Sequence, residues 1–129
     1  MLAVDTDVIV RFLLRDNEKQ WAIATRLIHT EDIWITKTVL LETEWVLRSL
    51  YRHSPERIIQ ALRGLAGLPN VYFEHEDACT MALQWSAKGL DFADALQLAS
   101  SREATKLATF GRTFAGQAQY LSAVEVIAL

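Results

Sequence analysis

The chain has one cysteine, two prolines and five glycines in 129 residues. Cys79 has no partner for an internal disulfide, which fits a reducing cytoplasm. No neighbour in sequence lowers its thiol pKa, so it reads as a packing residue. There is no internal repeat, no low-complexity segment and no linker, and a single domain over residues 1–129 is expected, long enough to bury a core. No apolar run reaches the roughly 20 residues that a membrane helix needs, so no membrane partner is expected. The N-terminus lacks a basic segment and Asp5 interrupts it early, which argues against a secretory signal. Positive charge is also short: 13 Lys and Arg face 16 Asp and Glu, for a net charge of −3. That balance disfavours a broadly basic nucleic-acid surface. The basic charge is nonetheless local, with Arg48, Arg52, Arg57 and Arg63 against the single acid Glu56.

Hydrophobic residues make up 51% of the chain, which excludes disorder. "MLAV" (1–4) is expected to be a short buried strand ending at Asp5. Thr6 or Asp7 caps a helix through about Arg15, with Val8, Phe12 and Leu13 inward. A second helix runs from Glu18 to His29, and "IWIT" (33–36) is a strand. Thr38 starts a third helix through Tyr51, and Ser54-Pro55-Glu56 starts a fourth that ends near Gly67. "VYFE" (71–74) is a third strand. A fifth helix from Glu76 to Lys88 closes on Gly89, and Asp91 caps a sixth from Phe92 to about Ala104. "KLATF" (106–110) is a fourth strand, a short helix follows, and "AVEVIAL" (123–129) holds a fifth. Alternating strands and helices indicate an α/β fold with a mostly parallel central sheet of four to five strands flanked by helices. Ligands in such sheets bind beyond the carboxyl ends of the strands, where Asp5 and the residues after Phe110 stand.

Asp5, Asp7, Glu42, Asp91 and Asp94 stand at or near element starts. Asp7 and Asp91 have a sufficient explanation as helix caps, and Asp94 lies in a first turn where the helix dipole favours negative charge. Glu42 read alone is a surface glutamate, as Glu44 is expected to be. Asp5, Glu42 and Asp94 nevertheless stand in apolar contexts. Carboxylates converging there repel unless a cation compensates them, and hard ions such as Mg²⁺ prefer oxygen ligands. There is no His/Cys cluster suited to zinc, no Gly-rich phosphate loop and no G-x-S-x-G elbow.

Four segments then carry a resemblance. "AVDTDVIVRFLL", "TVLLETEWVL", "GLDFADALQLAS" and "LATFGRTF" resemble the four motif regions of the PIN domain, and more narrowly of VapC-type toxins of bacterial toxin–antitoxin pairs. The resemblance spans nearly the whole chain in the family's order. It implies a PIN-like fold, a Mg²⁺- or Mn²⁺-dependent ribonuclease, a homodimer, and silencing by a cognate VapB-like antitoxin. By resemblance, Asp5 is the first metal-binding aspartate, Glu42 the acid of the second motif and Asp94 the metal-binding acid of the third. Thr6 matches the small polar residue beside the first acid. Asp7 falls where the family often has Asn or Ser, and Asp91 assists Asp94 electrostatically. Thr109 begins the fourth motif, but Gly111 stands where that motif usually carries its aspartate, and Thr113 nearby offers only a hydroxyl. Arg48, Arg52 and Arg112 are candidates for RNA backbone contacts or for a dimer or antitoxin interface.

Two other readings stand beside this one. A PIN-like domain without its fourth acid would bind RNA or an antitoxin without cutting. "DTDVI" also resembles the start of haloacid-dehalogenase-type phosphatases, with Asp5 as nucleophile, although Ile9 misses the usual residue. Trp34, Trp45, Trp85, Phe92 and Phe110 offer stacking surfaces, but the helical spacing of Trp45 and Trp85 places both in the core. His29, His53 and His75 carry no ligand spacing.

Overall fold

Short strands alternate with helices through two compact units, Met1–Glu76 and Asp77–Leu129, in a computed structural model that describes residues 1–122 and 124–129. The first unit runs β1 (Leu2–Ala3), α1 (Thr6–Leu13), α2 (Glu18–Thr30), β2 (Ile33–Ile35), α3 (Lys37–Ser49), α4 (Pro55–Ala66) and β3 (Val71–Phe73). Its strands pair in the order β1-β2-β3, all parallel. Leu2 is opposite Ile33, and Ile33 is opposite Val71. Ile33 and Ile35 are buried to 1% exposure or less, as a strand covered by helices requires. Ile28, Leu40, Leu47 and Leu62 are equally buried, each side chain stabilising the fold by about 1.5–3 kcal/mol.

Helix starts follow their caps. Asn17 accepts from the Gln20 amide, Thr36 from Val39 and Ser54 from Arg57, with Pro55 in the first turn of α4. The third helix therefore begins one residue before the expected Thr38. Two expectations for the N-terminus are corrected. Leu2 and Ala3 are exposed and only Val4 is buried; among the described residues β1 pairs with β2 and stands at the edge of the three-stranded sheet. The face of α1 that turns inward carries Ile9 and Val10 rather than Val8, Phe12 and Leu13, which are half-buried. The helix also stops at Leu13, before Arg15.

The second unit holds α5 (Glu76–Ala87), which begins at the division, then α6 (Phe92–Ala99), β4 (Lys106–Thr109), α7 (Arg112–Ala118) and β5 (Glu125–Ala128). β4 and β5 pair in parallel, with Lys106 opposite Glu125. The expected last strand thus forms over 125–128, and residue 123 lies outside the described residues. Helix α6 is shorter than expected. It ends at Ala99, where Ser100 caps it, and a turn covers the following residues. Cys79 is a buried free thiol at 1% exposure, a packing residue as expected. The strands of both units are parallel and flanked by helices, which is the α/β class expected. Among the described residues no helix is long and apolar enough to cross a membrane.

Gly89 follows α5 with φ +106°, a conformation that side chains with a Cβ rarely adopt, although a Cβ there would meet nothing within 4 Å. Gly89→Ala should therefore lower stability by about 1 kcal/mol through the backbone alone. Gly64, inside α4 and equally open, lacks that strain, so Gly64→Ala should raise stability by about 0.5–1 kcal/mol. Urea unfolding of the two variants beside the parent protein checks both signs.

Candidate functional site

The parallel pairing of β1 with β2 delivers two chain segments to the same end of the sheet. After β1 the chain enters α1 at Asp5, and after β2 it enters α3 at Thr36. Asp5, Thr6 and Asp7 from the first segment and Thr38, Val39 and Glu42 from the second line one cleft of about 310 Å³. This is the carboxyl end of the strands, where α/β sheets bind ligands. The sequence-predicted residues Asp5, Thr6, Asp7 and Glu42 thus meet in the first unit.

Their roles differ from those expected. Asp5, not Asp7, caps α1: its backbone is extended (φ −90°, ψ 177°) and its Oδ1 accepts the Val8 amide at 3.1 Å. The helix starts one residue earlier than a cap at Thr6 requires and two earlier than a cap at Asp7 requires. Asp7 instead lies in the first turn and faces Arg11, whose Nε approaches its Oδ1 at 3.5 Å, a charge contact rather than a hydrogen bond. Arg11 also donates to Asp16 Oδ1 at 2.9 Å, and the Tyr51 hydroxyl donates to Asp16 Oδ2 at 3.1 Å. Desolvation alone would raise the Asp16 pKa, but the Tyr51 hydroxyl and the Arg11 guanidinium more than offset it and hold the carboxyl below its ordinary value. Thr6 is buried beside the two acids.

On α3 the expected contrast between two glutamates is reversed. Glu44, expected on the surface, is 6% exposed, whereas Glu42 is exposed and faces the cleft. Glu44 shares its side of the helix with the buried Leu40, Thr43 and Leu47, and Arg48 neutralises it through Nε at 3.0 Å. Arg48 is thereby engaged by a buried acid and is a weaker RNA-binding candidate than its sequence position suggested. Glu42 makes no hydrogen bond or ion pair among the described residues. Trp45, expected in the core, is 49% exposed. Arg52 is exposed and holds a left-handed backbone with φ 56° just past α3. Sequence reasoning missed Glu74, at the end of β3, whose Oε1 accepts the Lys37 amide at 2.8 Å and ties the start of α3 to that strand end. It also missed Arg11, for which the i,i+4 spacing from Asp7 was the available signal.

In the second unit Asp91 caps α6 as expected, its Oδ2 accepting the Asp94 amide at 3.1 Å. Asp94 is half-buried among Ala95 and Leu98, and its pKa is raised by burial and then by the negative charge of Asp91. A cation beside Asp94 would relieve both effects. Beyond β4, the Gly111 amide donates to Thr109 Oγ1 at 2.9 Å, and Gly111 precedes α7 without a side-chain cap bond. Arg112 is exposed at the start of α7. The aromatics divide: Trp85 and Phe92 are buried, and Phe110 is 84% exposed.

The PIN domain family matches residues 2–118, and the chain belongs to that family. No curated protein matches the chain. PIN domains are generally metal-dependent nucleases and typically bind Mg²⁺ through acidic residues. The cleft suits such an ion in its donor chemistry. Asp5 Oδ2 and both Glu42 oxygens have no protein partner among the described residues, no His or Cys lines the cleft, and Mg²⁺ commonly takes one or two carboxylates plus waters. Within each unit, among the described residues, no three His, Cys, Asp or Glu side chains are grouped closely enough to hold a metal by themselves.

The Asp16 cluster yields a test of the electrostatics. Its folded-state pKa lies below the unfolded one, so its contribution to stability is complete above about pH 4 and is lost as pH falls through the folded value. Arg11→Met should move the Asp16 carboxyl back up toward its ordinary pKa and shrink that acid-side loss, as followed by carboxyl-carbon NMR titration and unfolding at stepped pH.

Proposed function

We propose that the chain is a divalent-metal-dependent endoribonuclease of the VapC toxin type, cleaving structured RNA and neutralised by a cognate VapB-like antitoxin. The observation that carries the reading is the meeting of Asp5 and Glu42, which has no partner among the described residues, in one cleft at the carboxyl ends of β1 and β2. The family match at residues 2–118 crosses the division between the two units, which supports treating residues 1–129 as one PIN-like domain. A cytoplasmic homodimer is part of the same proposal, on the resemblance to VapC-type toxins.

Asp5 and Glu42 would hold Mg²⁺ or Mn²⁺, and Asp94 joins them as a ligand on the resemblance of "LDFADALQLA". When bound, the ion supplies Lewis-acid polarisation of a phosphodiester oxygen and lowers the pKa of a water. Glu42 orients the attacking water as a proton acceptor, and Asp7, held by Arg11, adds negative potential at the edge of the cleft. Asp5 is fixed for its task by its bond to the Val8 amide, which leaves Oδ2 for the ion. Attack of that water in line at phosphorus, with the P–O3′ bond breaking and the 3′-oxygen leaving as a hydroxyl, would give the 5′-phosphate product usual in this family. Arg52 and Arg112, both exposed, are the remaining candidates for backbone phosphates.

A second reading is favoured by one observation: Gly111 stands in place of the fourth acid. On that reading the domain binds RNA or its antitoxin without cutting. Asp5→Asn and Asp94→Asn should each lower Mg²⁺-dependent cleavage of structured RNA at least about a hundredfold, since both remove charge from the ion's neighbourhood. Variants that cut as well as the parent protein would sink the site assignment. Antitoxin-free parent protein that leaves RNA intact in Mg²⁺ would establish the second reading.

Gly111 has ordinary backbone angles (φ −79°, ψ 98°), so a side chain is admissible there. An added Cβ would meet Thr109 Oγ1 at 3.3 Å, close enough that the hydroxyl must rotate slightly. Gly111→Asp should tighten Mg²⁺ binding in calorimetric titration and raise stability by a few tenths of a kcal/mol through capping of α7. An unchanged metal affinity would remove this position from the site.

A further inference from the structure

Helix α3 presents one uninterrupted exposed stripe. Steps of about 100° per residue bring positions 38, 42, 45 and 49 within about 60° of one another around the axis. Thr38, Glu42, Trp45 and Ser49 are all exposed, while Leu40, Thr43, Glu44 and Leu47 on the opposite side are buried. Thr38 and Glu42 line the cleft, and Trp45 follows Glu42 by three residues, the spacing at which helix side chains are neighbours. A tryptophan 49% exposed beside a carboxylate cleft is not accounted for by the core of its own unit.

We propose that Trp45 is a stacking platform for an unpaired nucleobase of the RNA substrate, positioning the nucleotide next to the phosphodiester held over Asp5 and Glu42. This rests on the ribonuclease reading above and adds a positioning residue to it. Charge decides which part of a nucleotide this surface can hold. A chain of net charge −3, with Arg48 on the same helix already bound to Glu44, gains little affinity from neutralising phosphates. Stacking supplies binding energy that needs no positive charge and accepts any base, because every base has a π face. The acids of the cleft would repel an RNA backbone in the absence of metal, so a contact that grips the base instead of the phosphate is what this surface has to offer. Trp45 would thus set where the strand lies along α3 without selecting its sequence.

The test measures binding and cutting separately. Binding of a fluorescein-labelled single-stranded 12-mer RNA is followed by anisotropy in Ca²⁺, with the probe checked by gel to be intact, for the parent protein, Trp45→Phe and Trp45→Leu. Leucine keeps apolar bulk but has no π face, so a purely structural role would survive both changes. The expected result is a Kd about tenfold weaker for Trp45→Leu, with Trp45→Phe within about threefold of the parent. The slope of affinity against salt should stay unchanged, because no phosphate contact is lost. Equal Kd values for Trp45→Leu and the parent, or no RNA binding by the parent, overturn the proposal. So does a variant that shifts from dimer to monomer in sedimentation with unchanged RNA affinity, which would assign Trp45 to a protein interface. Cleavage in Mg²⁺ is scored independently: a parent protein that binds through Trp45 but does not cut retains this inference and loses the nuclease reading, and one that cuts without needing Trp45 does the reverse.

Discussion

Parallel pairing between two very short strands is the constraint on which the candidate site depends. β1 has only two residues, yet the register of Leu2 with Ile33 and Ala3 with Trp34 decides where the chain leaves the sheet. Because both strands run the same way, Asp5 and Thr36 emerge side by side, each as the cap of a helix. An antiparallel pair would have sent them to opposite ends. The acids therefore owe their meeting to strand direction, and α1 packed on α3 keeps them there. Glu74 adds a tie from the third strand by accepting the first amide of α3.

Much of this was legible in the sequence, for identifiable reasons. Ser54-Pro55 and Asp91 announce helix starts through chemistry confined to three or four residues, and those boundaries hold. Gly89 announces a left-handed position in the same local way. The parallel α/β class follows from alternation alone. What escaped depends on partners distant in the chain. Asp16 and Tyr51 are 35 residues apart, and no periodicity links them. The exposure of Trp45 and the burial of Glu44 are adjacent-residue decisions, since a shift of one position turns a helix face by about 100°. Composition around the two residues is the same, so only the orientation of α3 on its unit separates them.

The acids illustrate how similar residues are sorted by surroundings. Asp5 has one oxygen engaged by an amide and the other open. Asp7 is faced by a guanidinium. Glu44 is buried and paired, while Glu42, two residues earlier, is solvated and unpaired among the described residues. Asp94 carries the opposite signature, a carboxyl whose charged form is disfavoured by burial and by Asp91. Three of these five carboxylates, Asp5, Asp7 and Glu44, have a local partner; Glu42 has none among the described residues of its unit, and the surroundings of Asp94 oppose its charge.

The fourth motif position leaves a mark of another kind. Gly111 holds ordinary backbone angles, caps its helix with no side chain, and an added Cβ there would meet only the Thr109 hydroxyl closely. Nothing in its geometry requires glycine. An acid could be installed here by replacing one side chain on a backbone already in place, so the negative charge between β4 and α7 is set by a side chain and not by the course of the chain.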